Sequence, residues 1–169
     1  LVNVIRQTFY RSMKIGVVSD THSLQVPRQL MEELKKVDLI IHAGDFCSLK
    51  DVEAFSKLKE LKAVFGNMDD DQVRKKLPER QIIDCEGVKI GITHGRGAPK
   101  QVMDSARETF ANDQVDVVIF GHSHQPLNKK DGDILFFNPG SPNDSVNAPY
   151  FSYGVIEINN GKIKAEIIK

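Results

Sequence analysis

Four of the five histidines in this chain fall in short segments that also hold Asp or Gly: Asp20-Thr21-His22, His94-Gly95 and Gly121-His122-Ser123-His124. Two further dipeptides, Gly44-Asp45 and Gly66-Asn67, add oxygen donors. Imidazole nitrogen together with carboxylate and carboxamide oxygen is a donor set for divalent metal, suited to Mn, Fe, Co, Ni or Zn more than to Ca or Mg. The carboxylates would supply the negative charge that two such ions require. Asp20 and His22 are two apart, as are His122 and His124, and in extended backbone such side chains project to the same side. Each pair is therefore expected to reach one centre. Glycines at 44, 66, 95 and 121 would let the chain turn sharply and pass close to a site. Each residue alone has a plainer reading. An Asp after a strand caps a turn, Gly-Asp and Gly-Asn are common turn dipeptides, and a lone histidine is more often a hydrogen-bonded core or surface residue. As a set they point to metal.

The elements that must position them can be read from periodicity. Short β-branched runs at 14–19, 38–42 and 62–65 alternate with helical patterns at 27–36, 49–58 and 71–77. That order predicts parallel strands joined by right-handed crossovers. A hairpin is expected at 81–85 and 88–93 around Glu86-Gly87, then a helix at 99–110 and a buried strand at 116–120. The remainder reads as strands at 126–130, 133–138, 150–159 and 162–168, with Asp131-Gly132 and Asn160-Gly161 as hairpin turns. Five strand runs end at the five segments above. In open α/β sheets, ligands bind in the crevice beyond the carboxyl ends of strands. The expected fold class is α/β, with two mixed sheets packed as a sandwich and helices outside.

Composition narrows the function classes. The 169 residues suit one domain, and 23 basic residues balance 23 acidic ones. A neutral chain with 9 Phe, 3 Tyr and no Trp has no electrostatic pull toward nucleic acid or an anionic membrane. No apolar run nears the roughly 18 residues that span a bilayer, and no GxGxxG or GxxxxGK[ST] loop marks a nucleotide cofactor. Cys47 and Cys85 lie outside any CxxC pair and read as reduced thiols, which places the protein in the cytoplasm. Residues 1–12 (LVNVIRQTFYRS) read as a poorly packed extension or start-site artefact, with Met13 opening the domain at 13–169. The oligomeric state is left open, a homodimer among the options.

The ordered series Asp20-x-His22, Gly44-Asp45, Gly66-Asn67, His94, Gly121-His122-x-His124 resembles the calcineurin-like metallophosphoesterase superfamily. The match runs from Met13 to about Gly140. The segments His42-Ala43-Gly44-Asp45 and Asn138-Pro139-Gly140-Ser141 resemble its small prokaryotic phosphodiesterases. The resemblance implies an αββα fold and a dinuclear centre. One ion would be held by Asp20, His22, Asp45 and His124, the other by Asp45, Asn67, His94 and His122, with Asp45 bridging. Manganese leads as the implied metal, with Ni, Fe, Co or Zn as alternatives, and the implied substrate is a small phosphodiester. Two ions about 3.5–4 Å apart can clamp a phosphate, and a hydroxide between them would attack phosphorus. No side-chain nucleophile is required, and none is assigned to Ser19, Ser123 or Cys47.

One position departs from the pattern. Many members of the superfamily read Gly-Asn-His-Asp, where the His can protonate the leaving group. This chain reads Gly66-Asn67-Met68-Asp69, and methionine has no proton to give. The small prokaryotic phosphodiesterases commonly lack that His too. The competing expectation is a protein-interaction scaffold of the same fold, like a retromer subunit, with vestigial metal binding. Beside Asn67 and His94, His42 is read as a catalytic residue that orients Asp45 or touches phosphate, or else as a satisfied strand-end histidine. Asp69, Thr21 and Asn138 are expected as hydrogen-bonding supports behind the ligands. Asp70 and Asp71 are read as helix caps, and Arg96 as a phosphate contact or a solvated side chain.

Overall fold

The structure is a computed structural model that describes residues 12–169. Apart from Ser12, the expected N-terminal extension lies outside the described residues.

The first half alternates as its periodicity predicts: β1 (Met13–Val18), α1 (Arg28–Leu34), β2 (Leu39–His42), α2 (Leu49–Ser56), β3 (Leu61–Ala63) and α3 (Asp71–Lys76). The second half holds β4 (Arg80–Cys85), β5 (Val88–Thr93), α4 (Val102–Thr109), β6 (Val117–Ile119), β7 (Leu127–Asp131), β8 (Ile134–Asn138), β9 (Tyr153–Asn159) and β10 (Lys162–Ile168). The helix expected over 99–110 opens instead as a 3-10 turn at Pro99–Gln101. Such turns are common at helix starts, and Pro fits there because its missing N–H would lack an intrahelical partner anyway.

The strands form two mixed five-stranded sheets, β10-β9-β1-β2-β3 and β4-β5-β6-β8-β7. The parallel register matters most for the site. Val18 pairs with His42 and His42 with Ala63, so β1, β2 and β3 end level. In the other sheet Ile92 pairs with Ile119, so β5 and β6 end level too. Five loops therefore leave the sandwich at one edge.

The sheets meet through a buried layer that includes Ile15, Val17, Ile41, Ile90, Ile92, Ile119, Phe137 and Ile156. Leu30, Leu34, Val52, Phe55 and Val73 cover the outer face of the first sheet. Val102, Ala106 and Phe110 cover that of the second. Burying one such aliphatic side chain contributes about 1.5–3 kcal/mol. Truncating one to alanine would cost about 2–5 kcal/mol. This layered core sets the rigid edge on which the loops stand.

Candidate metal centre

The site loops leave their strands through left-handed backbone. Nine described non-glycine residues have positive φ, and seven lie here: Asp20, His22, Ser23, Asp45, Cys47, His122 and His124. The other two, Glu86 and Asn160, sit in hairpin turns. Left-handed conformations are strained for most residues, with Asn, Asp and His the most tolerant. The expectation of extended backbone through Asp20–His22 and His122–His124 is therefore corrected. Asp20, His22, His122 and His124 have φ of 57°, 51°, 65° and 56°. Asp20 and His22 still face one centre, whereas His122 and His124 turn to different ones. Backbone bonds zip the first two loops together, from Asp20 N–H to Gly44 O (3.0 Å) and from His22 N–H to Asp45 O (3.0 Å). Close approach leaves no room for a Cβ at two glycines. One at Gly66 would lie 2.2 Å from Asp45 Oδ1, and one at Gly121 would lie 1.9 Å from Ser19 Oγ.

All seven residues expected as ligands come together, in two overlapping halves. In the first, His124 Nε2 lies 3.4 Å from Asp20 Oδ1 and 3.1 Å from His22 Nε2, which itself lies 4.0 Å from Asp20 Oδ1. In the second, Asn67 Oδ1 lies 3.1 Å from His94 Nε2 and 2.8 Å from His122 Nδ1. The two nitrogens are 3.3 Å apart. Asp45 stands between the halves, with Oδ2 3.7 Å from His22 Nε2 and 3.3 Å from His94 Nε2. Asp20 also faces the second half, at 3.9 Å from His94 Nε2.

The chemistry of this donor set fits divalent cations. His94 Nδ1 is 2.8 Å from the Ala43 carbonyl and His122 Nε2 is 3.0 Å from the Gly97 carbonyl. A carbonyl only accepts, so these outer nitrogens carry the protons. His124 Nδ1 donates in the same way to the Asp144 carboxylate. The inner nitrogens are left with lone pairs aimed at one another and at carboxylate oxygens. Acceptors turned on acceptors cohere only around a proton or a metal cation.

The proton affinities report the same field. Burial acts to lower the pKa of His94, but the Asp45 hydrogen bond and the Asp20 and Asp45 charges outweigh it, giving about 8. Burial likewise opposes His124, which Asp20 and Asp144 raise to about 9. Burial acts to raise the carboxyl of Asp45, yet the bond to His94 and nearby positive charge bring it below its ordinary value. Cys47 lies 3.6 Å from His22 Nδ1. Burial and the Asp45 and Asp69 carboxylates push its thiol up to about 11, so it remains protonated at neutral pH.

The residues expected behind the ligands divide by role. Asp69 accepts from the backbone N–H groups of Asp45 (3.0 Å), Cys47 (2.7 Å) and Gly66 (2.7 Å), tying two site loops to one carboxylate. Arg74 joins it by donating to the carbonyls of Asp69, Gly66 and Asn67. Asn138 braces the 121–123 segment, donating to Gly121 O (2.9 Å) and Ser123 Oγ (3.1 Å). Thr21 Oγ1 lies 3.2 Å from His42 Nε2. His42 itself is placed differently from the reading that puts it against phosphate. It has no exposed surface, its Nδ1 accepts from Gly44 N–H at 3.2 Å, and its ring stacks on Phe46 at 3.6 Å. It holds the Gly44–Asp45 turn from beneath, and burial keeps its pKa well below the ordinary value. Asp70 caps α3 by accepting from Val73 N–H at 2.8 Å. Arg96 pairs with Glu108 on the surface at 3.3 Å.

Asp144 was not legible as a site residue. Its only sequence mark is a place in the polar segment after Asn138-Pro139-Gly140-Ser141, and nothing there ties it to His124.

A cleft of about 460 Å³ opens beside Asn67 and His94 and is lined further by Arg74, Arg80 and Arg96. Among the described residues no helix is long and apolar enough to cross a membrane.

The profile of the calcineurin-like phosphoesterase superfamily domain matches residues 13–161. A probable metallophosphoesterase of Methanothermobacter thermautotrophicus is 33% identical over 162 residues, covering 93% of this chain and 92% of the relative. The solved structure of a novel archaeal phosphodiesterase superposes with a TM-score of 0.74 at 27% identity, covering 92% of this chain and 100% of the other. Vacuolar protein sorting 29 of Cryptosporidium parvum superposes with a TM-score of 0.75, covering 93% of this chain and 97% of the other, and its 20% identity speaks for the fold alone. With the domain profile spanning nearly the whole described chain and a relative matched almost end to end, the chain belongs to the calcineurin-like phosphoesterase superfamily.

Proposed function

We propose that the protein is a phosphodiesterase that works with two divalent transition-metal ions, manganese first, with Ni, Fe, Co or Zn as alternatives. The observation that carries the reading is the convergence of seven donors, with the outer nitrogens of His94, His122 and His124 already committed to protein acceptors. Asp20, His22, Asp45 and His124 would hold one ion, and Asp45, Asn67, His94 and His122 the other. The position of Asp45 Oδ2, within 3.7 Å of nitrogens from both halves, supports its role as the shared ligand. Once bound, the ions supply the positive charge that a transferring phosphoryl group needs and a place where water is acidified.

The chain's own groups do the rest. The Ala43 and Gly97 carbonyls fix the rings of His94 and His122, and second partners of this kind orient ligands and raise their basicity. Asn67 is exposed at the mouth of the cleft and is the ligand best placed to meet substrate. One ester arm of a small phosphodiester would lie in the cleft, past Arg80 and Arg96. Net neutrality argues against a dedicated nucleic-acid binder, and the free thiols of Cys47 and Cys85 suit a reducing cytoplasm.

Met68 shapes the substrate range. Its backbone N–H donates to Asp45 Oδ1 at 2.8 Å while its side chain is 58% exposed at the site. No group at this position can protonate a leaving oxygen, and general acid catalysis is typically worth about 10²–10⁴-fold. Aryl phosphodiesters, whose leaving groups need no proton, should therefore be hydrolysed well and alkyl phosphomonoesters poorly. Comparable rates on the two would contradict this account of Met68.

The decisive assay is hydrolysis of bis(4-nitrophenyl) phosphate by chelator-treated protein, with Mn, Ni, Zn or Mg restored singly. Activity returning with a transition metal and vanishing in Asp45→Asn is the expected result. Stoichiometric metal uptake with no turnover for any metal would favour the scaffold reading instead.

A further inference from the structure

The loop after β8 reaches the site from far along the chain. Ser141 Oγ donates to the Asp20 carbonyl at 2.9 Å, and Asn143 Nδ2 donates to the Thr21 carbonyl at 2.9 Å. Asp144 completes the tie. Its N–H donates to Ser141 Oγ at 3.1 Å, and its carboxylate accepts from His124 Nδ1. The same carboxylate accepts from Val146 N–H (2.7 Å), Asn147 N–H (3.0 Å) and Asn147 Nδ2 (2.9 Å). One short loop thus grips the Asp20–His22 segment by its backbone and His124 by its ring. Among the described residues, the hydrogen bonds that 141–147 make to the site reach Asp20, Thr21 and His124, and none reaches Asp45, Asn67, His94 or His122.

A histidine ring has two nitrogens, and which of them is bare depends on the partner of the other. With Nδ1–H committed to Asp144, His124 presents Nε2 toward Asp20 Oδ1 at 3.4 Å. Without that partner the ring could protonate Nε2 or turn over, and neither form offers a lone pair in the same place. A carboxylate behind a ligating histidine also raises its basicity, and losing such a partner typically costs about 10–100-fold in metal affinity.

We propose that Asp144 is a positioning residue for one ion only, holding His124 in the tautomer that completes the Asp20–His22–His124 half while leaving the other half to separate supports. The inference rests on the two-ion reading above. It makes the two affinities separable by a residue that meets neither metal nor substrate.

The test is a zinc titration of the full chain by calorimetry, for wild type, Asp144→Ala, Asp144→Asn and Asn147→Ala. Wild type should take up two ions. Asp144→Ala should weaken one of them about 10–100-fold and leave the other unchanged. Asn147→Ala removes a donor to the same carboxylate without touching His124, and should leave both affinities alone. Asp144→Asn keeps an acceptor for His124 and for the loop amides, so it should fold as wild type and recover part of the loss. Nitrogen-15 NMR of the zinc-loaded protein supplies a readout that a merely structural loop would not move. Wild type should show the His124 Nδ1 proton held in a hydrogen bond and slow to exchange with solvent, and Asp144→Ala should lose that slow exchange. Equal weakening of both ions, or wild-type affinities in Asp144→Ala, would overturn the proposal. A wild-type chain that binds a single ion would remove the two-ion reading instead, and the role of Asp144 would then be decided by whether that ion weakens.

Discussion

Asp69 lies behind one half of the site and Asp144 behind the other, and they reach it by different routes. Asp69 follows β3 directly and gathers three backbone N–H groups from the loops after β2 and β3, while Arg74 of α3 holds the carbonyls beside them. All of this comes from adjacent parallel strands and the next helix. Asp144 arrives from a segment 20 residues beyond His124, and its neighbours Ser141 and Asn143 contact residues more than 120 positions away. One half is thus built by local chain geometry and the other by a returning loop. The contrast teaches that a site of two halves need not be braced as one unit. Asp45, the residue both halves share, is where their failures would become common.

The largest effect should therefore follow from Asp45 itself. Asp45→Asn keeps the shape but removes the charge that faces both His22 and His94. Losing several kcal/mol of metal-supplied stabilisation corresponds to about 10³-fold or more in kcat/KM, since each 1.36 kcal/mol is tenfold. Both zinc affinities should drop in the same titration. A variant that lost only one would break the comparison, because Asp45 would then belong to one half rather than both.

Asp69→Ala comes next and separates the braces by stability rather than by metal. It leaves the N–H groups of Asp45, Cys47 and Gly66 without their acceptor, at about 1 kcal/mol or more each when buried. The cost should be about 3 kcal/mol, or roughly 10 °C in Tm for a chain of this length. Asp144→Ala should lower Tm less, since the groups it releases lie in a loop whose residues 145–147 are exposed. Thermal unfolding of the two variants, both with chelator present, gives the ranking. The reverse order would mean that the returning loop, not the local brace, carries the edge of the sandwich.

This difference also explains what could be read from the sequence. The strands were legible because their β-branched runs are short and bounded by turn residues, and the convergence of the candidate ligands because four histidines cluster at strand ends. Asp69 was legible beside Asn67 for the same local reason. The pairing of His124 with Asp144 was not, because it depends on how a loop returns after β8, and no periodicity encodes that path. His42 was ambiguous because a strand-end histidine facing the core and one facing the cleft differ only in side-chain direction. The left-handed φ angles at Asp20, His22, Asp45, His122 and His124 were hidden too. They are imposed by packing five loops against one another rather than by residue preference.

The smallest effect distinguishes the halves by proton. A histidine whose folded pKa exceeds its unfolded value of about 6.5 adds stability that is fully present below that value. The contribution is lost as pH rises through the folded pKa. His94 in the second half is raised to about 8 by Asp45 and Asp20 against burial, and His124 in the first to about 9 by Asp20 and Asp144 against burial. Chelator-treated protein should therefore lose Tm, on the order of a few degrees, as pH climbs from 6.5 to 9. The decline assigned to His94 should finish before that assigned to His124. In Asp144→Ala the later part should shrink and the earlier part persist, because only His124 has lost one of its two acidic partners. A Tm that is flat or rising over this window would mean that the inner nitrogens are not held in a field of carboxylates. The electrostatic case for cations in both halves would fail with it.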